Sequence, residues 1–174
     1  MHQDELDTAI EEYTRALALN PRDAEAYGNR GMAYYEKGDY EQAIDNLTRA
    51  IALDPTDPEA YSYRGNAYKE QGELDRAIAD LSQAITLDPE HAEAYSDRGV
   101  AHYLRDELDE AIADFDQAIA IESQLVEAYN NRGSAYYDRG DLGRAIADYD
   151  QVIALDSEDA DAYYNRGNAY HELG

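Results

Sequence analysis

The 174-residue sequence predicts an all-α fold, an array of antiparallel helix pairs written once every 34 residues. Three observations carry that prediction. Tyr27, Tyr61, Tyr95, Tyr129 and Tyr163 recur at intervals of 34, and Gly31, Gly65, Gly99, Gly133 and Gly167 do the same. Ala9, Ala43, Ala77, Ala111 and Ala145 form a third column in register, and Pro21, Pro55 and Pro89 a fourth. Within each period the apolar residues fall at helical spacing and are punctuated by Gly and by Asp-Pro, the residues that stop helices. A period of this length marks stacked supersecondary units, each too small to bury a core alone.

The elements follow in chain order. Residues 1–23 supply only the second half of a unit, with the match beginning at Asp4. Complete units are expected at 24–57, 58–91, 92–125 and 126–159, and residues 160–174 match only the first half of another. In the first complete unit a helix from Ala24 to Lys37 should stop at Gly38, where a left-handed C-terminal residue suits Gly. Asp39 can cap a second helix, Tyr40 to Leu53, which Asp54-Pro55 ends, and Asp57 can cap the next unit. Connections so short force the two helices antiparallel. Asp106 stands in place of one turn Gly, and Ser123 and Ser157 in place of Pro, so those joints are expected to be less well defined.

At ~100° per residue, Tyr27, Gly31 and Tyr34 share one helical stripe, and Tyr40, Ala43, Ile44, Leu47, Ala50 and Ile51 share another. A mid-helix Gly costs about 1 kcal/mol relative to Ala, so its recurrence needs an offset. Close approach of the paired helices, with Ala43 and its equivalents as the small partner, is the expected one.

These residues resemble the tetratricopeptide repeat (TPR) family, whose aromatic–Gly–Tyr…Ala…aromatic…Ala…Pro spacing is met by Tyr27, Gly31, Tyr34, Ala43, Leu47, Ala50 and Pro55. Tyr61-Gly65-Tyr68-Ala77-Leu81-Ala84-Pro89 and Tyr129-Gly133-Tyr136-Ala145-Tyr149 repeat it, and the resemblance covers nearly the whole chain. It implies a right-handed superhelical solenoid whose first helices line a concave face that binds extended peptides. The departures are a Tyr where the family usually has Trp, His102 for one Tyr, Val152 for one Ala, and Arg30, Arg64, Arg98, Arg132 and Arg166 where Leu is usual. An Arg at the edge of the core stripe can lay its stem on Tyr while its head reaches a carboxylate. Asp80, Asp114 and Asp148 are the expected partners, with Glu12 in the first half unit and Asn46 as an exception.

Composition limits what the array can do. Fourteen Lys and Arg stand against 39 Asp and Glu, a net charge of −25, which makes nucleic acid and anionic membrane unlike partners. Cys is absent, which fits a reducing compartment, and with no signal-peptide pattern a cytoplasmic location is favoured. No apolar run approaches the ~20 residues of a membrane span. Catalysis finds little support. His2, His91, His102 and His171 show no helical pairing, and HExxH, GxGxxG, Walker and GxSxG patterns are missing, so no catalytic residue, cofactor or metal is expected. His102 reads as a packed core ring, and the sequon Asn46-Leu-Thr48 falls inside a helix.

Recognition is better supported. Away from the core stripe the first helices carry Glu25, Gly28, Asn29, Met32 and Tyr35, with Ser62 and Ser96 at the Gly28 place in later units. With the resembled family as guide, a peptide groove would have an acidic rail of Glu25, Glu59, Glu93, Glu127 and Asp161 beside a floor of Tyr35, Tyr103, Tyr137 and Tyr164. Asn66 and Asn168 could pair with a peptide backbone, and Lys69 is the one Lys of the stripe. That sign disfavours the family's grip on acidic chaperone tails and favours a basic or aromatic-containing ligand. Acids in a first turn are also stabilised by the helix dipole, by ~0.3–1 kcal/mol each, whatever the ligand. The two half units add up to one repeat, so the chain is either a piece of a longer array or able to self-associate head to tail through residues 4–23 and 160–174. A recruiting arm of a larger enzyme is a further alternative.

Overall fold

The computed structural model describes residues 3–174; Met1 and His2 lie outside the described residues. Among the described residues there are ten α-helices and no strand. They are α1 (Gln3–Leu19), α2 (Ala24–Glu36), α3 (Tyr40–Leu53), α4 (Pro58–Glu70), α5 (Leu74–Leu87), α6 (Ala92–Leu104), α7 (Leu108–Ile121), α8 (Val126–Asp138), α9 (Leu142–Leu155) and α10 (Ala160–Leu173). The caps are local. Asp23 Oδ1 accepts from the Ala26 N–H at 3.0 Å, Asp39 from Gln42 at 3.2 Å, Asp57 from Glu59 at 3.0 Å and Asp159 from Ala162 at 2.8 Å. Each satisfies a donor that the helix start leaves without an intrahelical partner.

The turn inside a pair is set by one left-handed residue. Gly38, Gly72 and Gly140 have φ of 80°, 77° and 82°, and the Gly38 and Asp39 N–H groups reach back to the Tyr35 and Tyr34 carbonyls at 2.8 and 2.9 Å. Asp106 takes the same place at φ 63°, and the same two bonds form, from Asp106 and Glu107 to Tyr103 and His102, at 2.9 and 3.0 Å. The joint expected to be loose is therefore built like the others, with a non-Gly residue in a conformation that favours Gly.

The helices fall into two compact units, one ending at Pro89 and one spanning Glu90–Gly174. In the first unit α2 pairs with α3 and α4 with α5, and α1 packs on α2. In the second α6 pairs with α7 and α8 with α9, and α10 packs on α9. First helices also touch each other, α2 with α4, α6 with α8 and α8 with α10. The backbones of second helices within a unit stay further apart than those of the first helices, so in each unit the first-helix side is the closer-packed, inner side.

The interior of each pair corrects one expectation. A Cβ on Gly31 would lie 2.7 Å from Leu47 Cγ, on Gly65 2.9 Å from Leu81 Cγ, on Gly99 2.7 Å from Phe115 Cε1 and on Gly133 2.8 Å from Tyr149 Cε1. The glycines thus make room for the large residue of the second helix, not chiefly for Ala43 and its equivalents. Leu47, Leu81 and Phe115 are fully buried and Tyr149 nearly so. Gaining a fully buried ring or isobutyl group, about 1.5–3 kcal/mol, outweighs the propensity cost of the Gly.

The arginine braces form as expected, and Arg30, Arg64 and Arg132 reach further, Arg132 through Nη1 to Asp116 at 2.5 Å. Arg64 donates from Nε and Nη2 to Asp80 at 2.7 and 2.8 Å, Arg98 to Asp114 at 2.8 and 2.6 Å, and Arg132 to Asp148 at 2.9 and 2.6 Å. Arg30 donates from Nε to Asn46 Oδ1 at 2.8 Å. A third nitrogen, Nη1, points back to the preceding second helix, from Arg30 to Thr14 and from Arg64 to Thr48, at 3.0 and 3.1 Å. One guanidinium so fixes a first helix between two second helices. Glu12 instead binds Arg15, three residues away, at 2.5 Å. His102 is a satisfied ring, with Nδ1 2.7 Å from Glu107 Oε2. Asn46 is 4% exposed, with Nδ2 donating to the Gln42 carbonyl, so the sequon is sealed in the fold.

Candidate functional site

The inner face is built from the first helices alone. Four residues after the starts of α2, α4 and α6, Gly28, Ser62 and Ser96 are buried, which removes them from the expected surface stripe. A Cβ on Gly28 would stand 3.9 Å from the Ala50 methyl, an ordinary packing contact. Part of what remains on the surface lines two separate pockets, one in each unit.

In the first unit a pocket of about 210 Å³ lies between the starts of α2 and α4, lined by Glu25, Gly28, Asn29, Met32, Asp57, Glu59 and Ala60. Three of the expected residues, Glu25, Met32 and Glu59, meet here. Asp57 is the residue that sequence reading assigns to capping alone, yet it also lines this wall. Its Oδ1 accepts the Glu59 N–H, and the carboxylate contributes its charge to the same space. Three carboxylates and no cation among the lining residues make a negative recess. Met32 gives it an apolar wall, and a flexible thioether accommodates varied shapes.

In the second unit a pocket of about 190 Å³ is lined by Tyr103, Ser134, Tyr137, Asp138, Tyr149, Asn165 and Asn168. Tyr103 and Tyr137 come together as expected, but their hydroxyls are committed. Tyr103 donates to Asp138 and Tyr137 to Glu172, so each ring ties one first helix to the next. Burial, then the bond to Asp138, pushes the Tyr103 pKa up to about 12. For Tyr137 the bond to Glu172 leads, with the same result of about 12. Tyr149 closes the floor with its hydroxyl 3.5 Å from Ser134 Oγ, and burial raises its pKa as well. The signal for Tyr149 lies in the sequence: the second helices of the other complete units carry Leu47, Leu81 and Phe115 at this place, and Tyr149 adds a hydroxyl. Asn165, at the Asn29 place of the stripe but not among the expected groove residues, sits one turn from Asn168.

The other expected residues lie outside these pockets. Tyr35 packs against Tyr40 and Tyr63, with ring centroids 5.7 and 5.6 Å apart. Asn66 and Lys69 are partly buried on α4. Glu93, Glu127 and Asp161 are exposed in the first turns of α6, α8 and α10, and Glu93 lies 3.7 Å from His91 Nε2. Tyr164 is 70% exposed. Among the described residues no cluster of three or more His, Cys, Asp or Glu is placed to hold a metal ion. No helix among them is long and apolar enough to cross a membrane.

Solved structures resemble this arrangement along most of its length. MamA is 29% identical, with 91% of this chain and 93% of that one covered and a TM-score of 0.83. A thermophilic TPR protein of Thermus thermophilus is 26% identical over 95% of this chain and 90% of its own, at a TM-score of 0.75. The first TPR of Spaghetti, solved with the HSP90 peptide SRMEEVD, is 28% identical over 67% of this chain and 93% of its own, at 0.66. No curated protein is a significant match. The TPR repeat model matches residues 1–38, 31–72, 65–106, 101–138 and 133–174, end to end, and with the Gly-centred helix pairs it establishes that the chain belongs to the tetratricopeptide repeat family.

Proposed function

We propose that this array is a protein-interaction scaffold whose first-helix face holds an extended peptide bearing a Lys or Arg side chain. The observation that carries the reading is the recess of Glu25, Asp57 and Glu59 beside Met32. A cationic head would meet three carboxylates there, while its alkyl stem lies on the thioether. In the second unit the amides of Asn165 and Asn168 offer donors and acceptors together, the pairing a peptide backbone needs. Spaghetti's first TPR was solved with a peptide ending in Glu-Glu-Val-Asp, and this chain's recess has the opposite sign to the one such a tail would require.

Titration of a fluorescent Lys/Arg-containing peptide, with an acidic peptide of equal length as control, tests the reading. Binding of the basic peptide should weaken steeply as salt rises from ~10 mM to ~150 mM, where the screening length falls from about 30 to about 8 Å. Glu25→Lys combined with Glu59→Lys should weaken it by about tenfold or more, a loss in the range of a truncated charge pair. Equal affinity for both peptides, or salt-independent binding, would overturn the proposal.

A further inference from the structure

Two side-chain rules hold in all four helix pairs. The first-helix Gly receives the residue sixteen positions on: Leu47 on Gly31, Leu81 on Gly65, Phe115 on Gly99 and Tyr149 on Gly133. The Arg just before that Gly bonds to the residue sixteen positions on: Asn46, Asp80, Asp114 and Asp148. The tenth helix, α10, carries the same Arg166-Gly167 sequence, but a Cβ on Gly167 would meet nothing within 4 Å. The face around it is open. Tyr163, Tyr170 and Leu173 are 45%, 53% and 60% exposed, whereas Tyr27 and Tyr136, at places equivalent to the two tyrosines, are 8% and 7%. Arg166 keeps its backward bond to Asp150 and its stacking on Tyr163, at 5.3 Å.

The matching second helix is α1. In the 34-residue frame Tyr13 stands where Leu47 and Tyr149 stand, and Glu12 where Asn46 and Asp148 stand. Ala9, Tyr13 and Ala16 are only partly buried, while Ala43, Leu47 and Ala50 are sealed. A groove of about 140 Å³ runs along this side of α1, lined by Leu6, Ala9 and Tyr13 together with Met32 and Ala33 of α2. It is where a first helix would lie if it touched α1 and α2 as α2 touches α3 and α4.

We infer that α10 of one copy docks on α1 of a second copy, completing a helix pair between two molecules. Tyr13 fills the space over Gly167, and Glu12 leaves Arg15 to take the forward side of Arg166. The contact joins unlike surfaces, so each docked copy offers the same two ends again and assembly propagates. The apolar and paired parts of this contact work against the mutual repulsion of chains that each carry −25. Salt therefore promotes docking, the reverse of its effect on the proposed peptide, so the two readings fail separately.

Sedimentation velocity of the 174-residue chain over a concentration series, at low and at high NaCl, is the test. The mean mass should rise with concentration, and more so at high salt. Gly167→Leu should weaken association about tenfold or more by filling the slot, while the dilute monomer keeps its helicity and melting midpoint. Glu12→Arg and Arg166→Glu should each weaken association alone, and an equimolar mixture of the two variants should recover it, because each Arg then meets a Glu wherever the two variants alternate. A strict monomer at all concentrations, association unchanged by Gly167→Leu, or a mixture no better than its parts would overturn the inference.

Discussion

At the scale of single residues, the glycines separate two jobs that the same letter performs. Gly99 lies inside α6, and a Cβ there would overlap the sealed ring of Phe115, with Cε1 at 2.7 Å and Cδ1 at 2.9 Å. Gly143 lies in the first turn of α9 with nothing within 4 Å of its missing Cβ. Gly99→Ala should destabilise the second unit by about 1–3 kcal/mol through overpacking, even after the ~1 kcal/mol gain in helix propensity. Gly143→Ala should instead stabilise it by up to about 1 kcal/mol. Thermal melts of the two variants beside the parent chain check the pair. If both substitutions stabilise, the ring does not occupy the space over Gly99. The recurring Gly was legible in the sequence, but its true partner was not. Periodicity tells which stripe of a helix is buried, whereas the residue that lands on Gly31 depends on the axial offset of the two helices, which decides Leu47 over Ala43.

Between elements, the first helices of the second unit are held by phenol–carboxylate bonds, Tyr103 on α6 to Asp138 on α8 and Tyr137 on α8 to Glu172 on α10. Both phenols have pKa values raised to about 12 from the ordinary 10.0. A raised folded-state value means that the stabilisation is complete below pH 10 and is lost as pH climbs through 10 towards 12. A phenolate facing a carboxylate then replaces the bond by repulsion. Phenolate absorbance, compared with Tyr103→Phe and Tyr137→Phe, should show these two rings titrating last. Glu172→Gln should return most of the Tyr137 shift, since that bond is its leading cause, while Asp138→Asn should return only part of the Tyr103 shift, which burial leads. Ordinary titration of both rings in the parent would remove the locks. By sequence alone these tyrosines stand free on a groove floor. The bonds join residues 35 apart, one beyond the repeat, so the 34-residue ruler could not display them. The braces were legible because a helix pair fixes their sixteen-residue spacing and Arg–carboxylate pairing is the most direct way to satisfy both charges near a core.

For the whole molecule, charge has an effect that no single contact reveals. Five of the 14 basic residues are the repeat arginines, and four of them are bound to a following second helix, which leaves few cations to balance 39 acids. The rest of the acids repel one another across a surface whose net charge is −25, and such self-repulsion opposes the compact state. The brace pairs sit at contact distance with side chains only 7–21% exposed, so salt screens them less than it screens the dispersed surface acids. Adding NaCl from ~10 mM to ~1 M should therefore raise the thermal midpoint, by about 2–4 °C for each kcal/mol of repulsion removed in a chain of this size. The measurement belongs in the Gly167→Leu background at low concentration, where association cannot supply the stabilisation. Because units of a repeat array interact chiefly with their neighbours, the salt effect should show first in the least supported helices, α1 and α10, as slower amide exchange. A midpoint that falls with salt would mean that the ion pairs outweigh the repulsion, and the acidic surface would then owe its composition to something other than tolerance of charge.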